Sequence, residues 1–150
     1  MVLFDTNLLV YAHVTSSPFH EAARRLRDEA VEGALDACIS PQVLCEFFAV
    51  CTNPRLFRPP LTVQQAGREV VAYWTASGFR KILPQESTVR RLVGLVEQHR
   101  LQGQRIFDAF LVATMLDNNV TTLYTLNTKD FEVYTELRVV NPLVRAPSRP

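Results

Sequence analysis

Three carboxylates in this chain stand where a folded protein would otherwise place apolar side chains. Asp5 ends the run Val2-Leu3-Phe4, Glu46 lies among Cys45, Phe47 and Phe48, and Asp108 is set into Ile106-Phe107-Asp108-Ala109-Phe110-Leu111. Glu46 is the most informative of the three. Its helical neighbours at i−3, i+3 and i+4 are Val43, Ala49 and Val50, so it lies on a largely apolar face, and an isolated buried charge is very costly. No lysine or arginine adjoins Asp5 or Glu46 along the chain. If the acids converge, two carboxylates about 4 Å apart repel by about 4 kcal/mol at an effective dielectric near 20. A divalent cation removes that repulsion. Hard oxygen donors in small number suit Mg²⁺, with Mn²⁺ as the close alternative, and without histidine or thiolate ligands zinc is disfavoured.

Each acid also has a plainer reading. Asp5 could cap the helix that follows it, Asp108 could be a first-turn acid favoured by the helix dipole, and Glu46 could be a surface residue in a shifted helical register. Taken together, these readings require three coincidences.

The elements that would position the acids follow from the hydrophobic pattern. Val2-Leu3-Phe4 reads as a buried strand stopping at the polar turn Asp5-Thr6-Asn7, with a helix directly after it. Ser17-Pro18 and Ser40-Pro41 both have the form of a helix start, serine as cap and proline at the first helical position. They predict helices over 18–31 and 41–51, with a short strand at 36–39 between them. Asn53-Pro54 breaks the second helix, and 55–60 is a loop rich in proline and arginine. Thr62 and Gln65 form a capping-box pattern for a helix reaching Thr75. A strand is expected at 79–83, then an amphipathic helix presenting Val89, Leu92, Val93 and Val96, then a helix over 106–116 apolar nearly all round. Asp117-Asn118-Asn119 ends that helix, and short strands at 121–124 and 138–140 complete the set. Strands alternating with helices predict a parallel sheet covered on both faces, with sites outside the carboxyl ends of the strands. Asp5 sits at such an end.

Composition is that of one globular domain: 150 residues, 47% hydrophobic, 21% charged. We expect the domain to span 1–141 and the proline-bearing end, 142–150, to be a flexible tail. The formal net charge is +1, so any nucleic-acid contact must rest on local charge. Cys38, Cys45 and Cys51 lie in apolar runs without metal-type pairing and read as buried thiols of a reducing compartment. The start of the chain has no basic leader and no stretch is apolar enough to span a bilayer, so a cytoplasmic location without membrane attachment is expected. His13, His20 and His99 adjoin no recognisable nucleophile and are read as structural or surface residues.

These residues together resemble a known family. Val2-Leu3-Phe4-Asp5-Thr6-Asn7, Glu46, Asp108-Ala109-Phe110-Leu111 and Thr125-Leu126-Asn127-Thr128-Lys129-Asp130-Phe131 are similar to the PIN domain, above all to the VapC toxins of bacterial toxin–antitoxin pairs. Ser17-Pro18-Phe19-His20-Glu21-Ala22-Ala23-Arg24-Arg25 and Thr52-Asn53-Pro54-Arg55-Leu56-Phe57 extend the likeness over nearly the whole chain. The resemblance implies a Rossmann-like three-layer α/β/α sandwich and a Mg²⁺-dependent endoribonuclease, a homodimer neutralised by a cognate antitoxin. It implies that Asp5, Asp108 and Glu46 hold the metal, that Asp130 joins them in catalysis, and that Thr6, Asn7 and Asn127 support them. Asn127 departs from the pattern, because many members have aspartate there; an amide brings an oxygen but no charge, which puts a second metal in doubt. Arg105, Arg55 and Arg58 are candidate RNA contacts, each of which also reads plainly as a solvated surface charge.

Two rivals remain at this level. A phosphatase of the haloacid-dehalogenase type would use Asp5 as nucleophile, but needs a second aspartate where this chain has Asn7. A catalytically idle PIN-like module that only binds a partner or RNA draws its support from Asn127.

Overall fold

The computed structural model describes residues 1–144. In chain order the elements are β1 (Val2–Phe4), α1 (Thr6–Tyr11), α2 (His20–Val31), β2 (Ala37–Ile39), α3 (Pro41–Cys51) and α4 (Val63–Thr75). There follow β3 (Phe79–Lys81), α5 (Thr88–His99), α6 (Arg105–Asp117), β4 (Thr122–Tyr124), α7 (Thr128–Phe131) and β5 (Arg138–Val140). The five strands form one wholly parallel sheet in the order β3-β2-β1-β4-β5. This is the α/β sandwich expected from the alternation of elements.

Strands of three residues make few ladder bonds, so side-chain burial has to hold them. Leu3, Phe4, Cys38, Ile39 and Leu123 are fully buried in the sheet, and Val43, Phe47, Val112 and Met115 cover it from α3 and α6. Burying a side chain of this size stabilises by about 1.5–3 kcal/mol. The ring of Phe4 meets Phe79 edge to face at 5.3 Å, linking the two sides of β2.

Helix starts follow local chemistry. The Ser40 hydroxyl accepts from the Val43 amide, with Pro41 opening α3. Thr62 and Gln65 exchange both bonds of the capping box at α4. Ser17-Pro18 behaves differently. The Ser17 hydroxyl accepts from the Phe19 amide in a turn, and α2 begins only at His20, without a side-chain cap; Phe19 turns its ring onto Tyr11 at 5.5 Å instead. Between α2 and β3, the backbones approach so closely that a Cβ on Gly78 would collide with the carbonyl oxygens of Ala30 and Val31.

Three further expectations are corrected. Cys45 is exposed on the outer side of α3, while Cys38 and Cys51 are buried and burial pushes both thiols up to about 12. The third strand ends at Lys81; the Ile82 amide still reaches the Ile39 carbonyl, but Leu83 is exposed. On α5 the face against α6 is that of Thr88, Leu92, Leu95 and Val96, so Val89 and Val93 point outward. The helix is amphipathic, but one register step from the stripe read in the sequence. At the chain end, Asn141 accepts from the Leu143 amide and Leu143 packs on the core. The rest of the expected tail, 145–150, lies outside the described residues.

Sequence order reverses between β1 and β4: β1, β2 and β3 run outward on one side, β4 and β5 on the other. In open parallel sheets a crevice forms at that reversal, beyond the carboxyl ends of the strands. Phe4 pairs with Tyr124, so the next residues, Asp5 and Thr125, stand side by side at the crevice.

Candidate active site

A pocket of about 620 Å³ opens at the crevice. Asp5, Thr6 and Asn7 line it from the end of β1, Glu46 from α3, Asp108 from α6, and Asn127 and Asp130 from the segment after β4. Every acidic and supporting residue singled out in the sequence therefore meets in one place. Val10, Tyr11, Val50, Leu56 and Leu126 give the pocket an apolar wall as well.

Asp5 is the fixed point. It caps α1: Oδ1 accepts from the Thr6 amide at 2.7 Å, and Oδ2 accepts from Asn7 Nδ2 at 2.7 Å and from the Thr125 hydroxyl at 2.6 Å. Capping and membership of the acid cluster are thus compatible. Burial raises the Asp5 carboxyl above its usual range and Glu46 adds to the rise, while the Thr125, Thr6 and Asn7 bonds oppose it.

Thr6 connects the first two acids. Its amide serves Asp5 and its hydroxyl donates to Glu46 Oε2 at 3.0 Å. The other Glu46 oxygen accepts from Gln42 Nε2 at 2.9 Å. Glu46 is half-buried and held by neutral donors rather than by a cation.

Asp108 occupies the first turn of α6 and is half-buried. Burial, and then the charges of Asp130, Asp5 and Glu46, push its carboxyl up to about 6, with Arg105 pulling weakly the other way. Asp130 stands at the mouth, exposed, in the single turn of α7. Asn127 donates its backbone amide to the Thr125 hydroxyl at 2.9 Å. Arg105 opens α6 beside the cluster. Arg55 and Arg58 are exposed in the loop after α3 and do not line the pocket, although Leu56 between them does.

The donor set is of hard oxygens only, as a divalent cation of the Mg²⁺ kind prefers. Among the described residues, however, no three acidic, histidine or cysteine side chains stand close enough to grip one ion as they lie. The acids face a common space without touching, as mutually repelling groups should.

Two contributors escaped the sequence reading. Thr125 is fully buried and bonds Asp5, Asn7 and Asn127 at once. Its position after a strand adjacent to β1 would have singled it out, had strand order been known. Gln42 lies one turn before Glu46, the i to i+4 spacing at which an amide can serve a helical carboxylate.

The family model described as PIN domain matches residues 2–137. A VapC ribonuclease of Mycobacterium bovis and ribonuclease VapC43 of Mycobacterium tuberculosis are each 31% identical over 143 residues, covering 95% of this chain and 96% of theirs. Among solved structures, VapC20 of Mycobacterium tuberculosis, described as a sarcin–ricin-loop-cleaving toxin, superposes with a TM-score of 0.67 at 16% identity, over 92% of this chain and 99% of that one. A toxin–antitoxin complex from Klebsiella pneumoniae gives 0.61 at 24% identity, over 95% and 98%. With the model spanning nearly the whole chain and relatives matched end to end, this protein belongs to the PIN-domain family and, within it, to the VapC type.

Proposed function

We propose that the protein is a divalent-metal-dependent endoribonuclease, the toxin of a type II toxin–antitoxin pair, acting in the cytoplasm as a homodimer held in check by its antitoxin. One observation carries the catalytic reading. Four carboxylates from four separate segments face one pocket, and Arg105 offsets the rise of Asp108 by less than burial and the neighbouring acids cause it. A fold that brings acids together without basic partners stabilises itself fully only when something else supplies positive charge.

Asp5, Asp108 and Glu46 would hold Mg²⁺ or Mn²⁺, with Asp130 facing it from the mouth. What such a cation supplies is a Lewis acid that lowers the pKa of water and offsets negative charge on a phosphate under attack. The chain's own part is orientation. Thr6, Asn7 and Thr125 fix both oxygens of Asp5, and Thr6 and Gln42 fix those of Glu46. Arg105, Arg55 and Arg58 would steer the RNA backbone by its phosphates. Tyr11, Val50 and Leu56 make one side of the cleft apolar.

The antitoxin reading draws on the relatives and on a second, apolar cleft of about 490 Å³ between α3 and α4, lined by Leu44, Phe48, Val71 and Trp74. Among the described residues, no helix is long and apolar enough to cross a membrane.

Incubation with a structured RNA in Mg²⁺ and in EDTA tests the catalytic claim. Internal cleavage is expected in Mg²⁺ alone, and Asp5→Asn should lose it with its fold intact. Intact RNA after incubation with Mg²⁺ or Mn²⁺ would leave an idle binding module.

A further inference from the structure

Helices α3 and α6 bring Glu46 and Asp108 into one pocket, yet they do not pack chiefly on one another. α3 packs on α1 and α4, and α6 on α5. The two carboxylates also repel, since Glu46 contributes to the rise of Asp108. Something must set the spacing between them.

Gln42 is placed to do so. Its Nε2 donates one hydrogen to Glu46 Oε1 at 2.9 Å and the other to the carbonyl of Phe107 at 2.9 Å, immediately before Asp108. A single neutral amide therefore ties the carboxylate of α3 to the first turn of α6, across 65 residues of chain. Its orientation is set by chemistry. Both partners are acceptors, so only the NH₂ end can face them, and Oε1 is left buried without a donor. A glutamine retained purely for packing would have no reason to strand its acceptor, because an unmade buried hydrogen bond is destabilising. A lysine in this place would neutralise Glu46 and compete with a cation for it. An amide orients the carboxylate and leaves its charge available.

We propose that Gln42 is a positioning residue for the acid cluster: acting through Glu46 and the start of α6, it sets the spacing between the carboxylates of Glu46 and Asp108 into which a divalent cation would be drawn. The proposal rests on the metal-dependent reading of the same pocket. It extends that reading to a residue that touches neither metal nor substrate, and so acts only through the groups it holds.

The test is a double-mutant cycle read by calorimetric Mn²⁺ binding to the RNA-free protein, with melting temperature as the control for folding. Gln42→Met keeps length and volume and removes both donors. It should weaken Mn²⁺ binding about tenfold, in line with the loss of groups that orient ligands, while melting within about 2 °C of the parent. In the Glu46→Gln background the same change should matter less than about twofold, because once Glu46 is no longer a carboxylate its spacing from Asp108 is not there for Gln42 to set. Unchanged Mn²⁺ binding by Gln42→Met overturns the proposal and leaves the nuclease reading standing. A tenfold loss that persists beside Glu46→Gln, or a collapse of the fold in Gln42→Met, also overturns it in favour of a general structural role. Failure of the parent to bind Mn²⁺ at all overturns both.

Discussion

Helix α6 carries an aspartate at each end, and the two live under opposite regimes. Asp117, in the last turn, accepts from Thr88 Oγ1 at 2.6 Å, Ser87 Oγ at 2.8 Å and Arg91 Nε at 2.6 Å, and these partners hold its carboxyl below the usual range. Asp108, in the first turn, is pushed up to about 6 by burial and by Asp130, Asp5 and Glu46. The helix dipole alone would favour the reverse, since it stabilises an acid at the N-terminus by about 0.3–1 kcal/mol and disfavours one at the C-terminus. Neighbours outweigh the dipole at both ends. Asp117 is a satisfied structural clamp between α5 and α6; Asp108 is an acid whose partner the chain itself does not provide.

Exchanging the fates of the two residues is the strongest challenge to that contrast. Asp108→Asn should reduce RNA cleavage by about a hundredfold or more, measured as initial rates in Mg²⁺, with circular dichroism unchanged. Cleavage close to that of the parent would erase the distinction. Next in size is the response to metal. Mn²⁺ at about 100 times its dissociation constant adds about 2.7 kcal/mol to the parent, a rise of about 5–10 °C in melting temperature, and should move Asp108→Asn by less than about 2 °C. Equal shifts in both would mean that the ion binds elsewhere.

At the other end of the helix, Asp117→Ala removes the acceptor that ties Ser87, Thr88 and Arg91 of the α5 start to α6 and should lower stability by about 1–2 kcal/mol. Scanning calorimetry should record a fall of about 3–7 °C, while cleavage at 25 °C stays that of the parent. The smallest effect concerns pH in EDTA. Folded Asp108 keeps its proton up to about 6, whereas an unfolded aspartate releases it near 3.9. The native state thus binds more protons between these values, and the parent loses stability as pH rises through them. Asn cannot ionise, so Asp108→Asn should melt with the parent near pH 4 and above it beyond pH 6. Because Asp108 is only half-buried, solvent screening limits the gap to about 1 kcal/mol, or about 2–4 °C. A gap that widens toward acid would contradict the assignment.

Much of this was readable from residue types. Asp5, Glu46 and Asp108 betrayed themselves by being charged within apolar runs, and they do line one pocket. The caps at Ser40 and Thr62 were equally plain, because a cap is a bond between residues three apart. Ser17-Pro18 carries the same signature and still does not start a helix, since its hydroxyl serves a turn and Phe19 is drawn to Tyr11. Cys45 and, on α5, Val89 and Val93 were misread for a related reason: apolar neighbours in sequence do not say which side of a helix meets the core.

What the sequence determined by itself was local: strand and helix periodicity, and acids too costly to bury alone, properties that depend on a few neighbouring residues. Tertiary structure decided which distant groups those acids would find. Thr125 reaches Asp5 only because β4 lies beside β1, and Gln42 reaches Phe107 only because α3 and α6 flank the same crevice. Asp117 was quenched by residues of another helix and Asp108 was not. Electrostatic satisfaction acts across a few ångströms of space, whatever the separation along the chain, and so it is fixed only once the strands have taken their order.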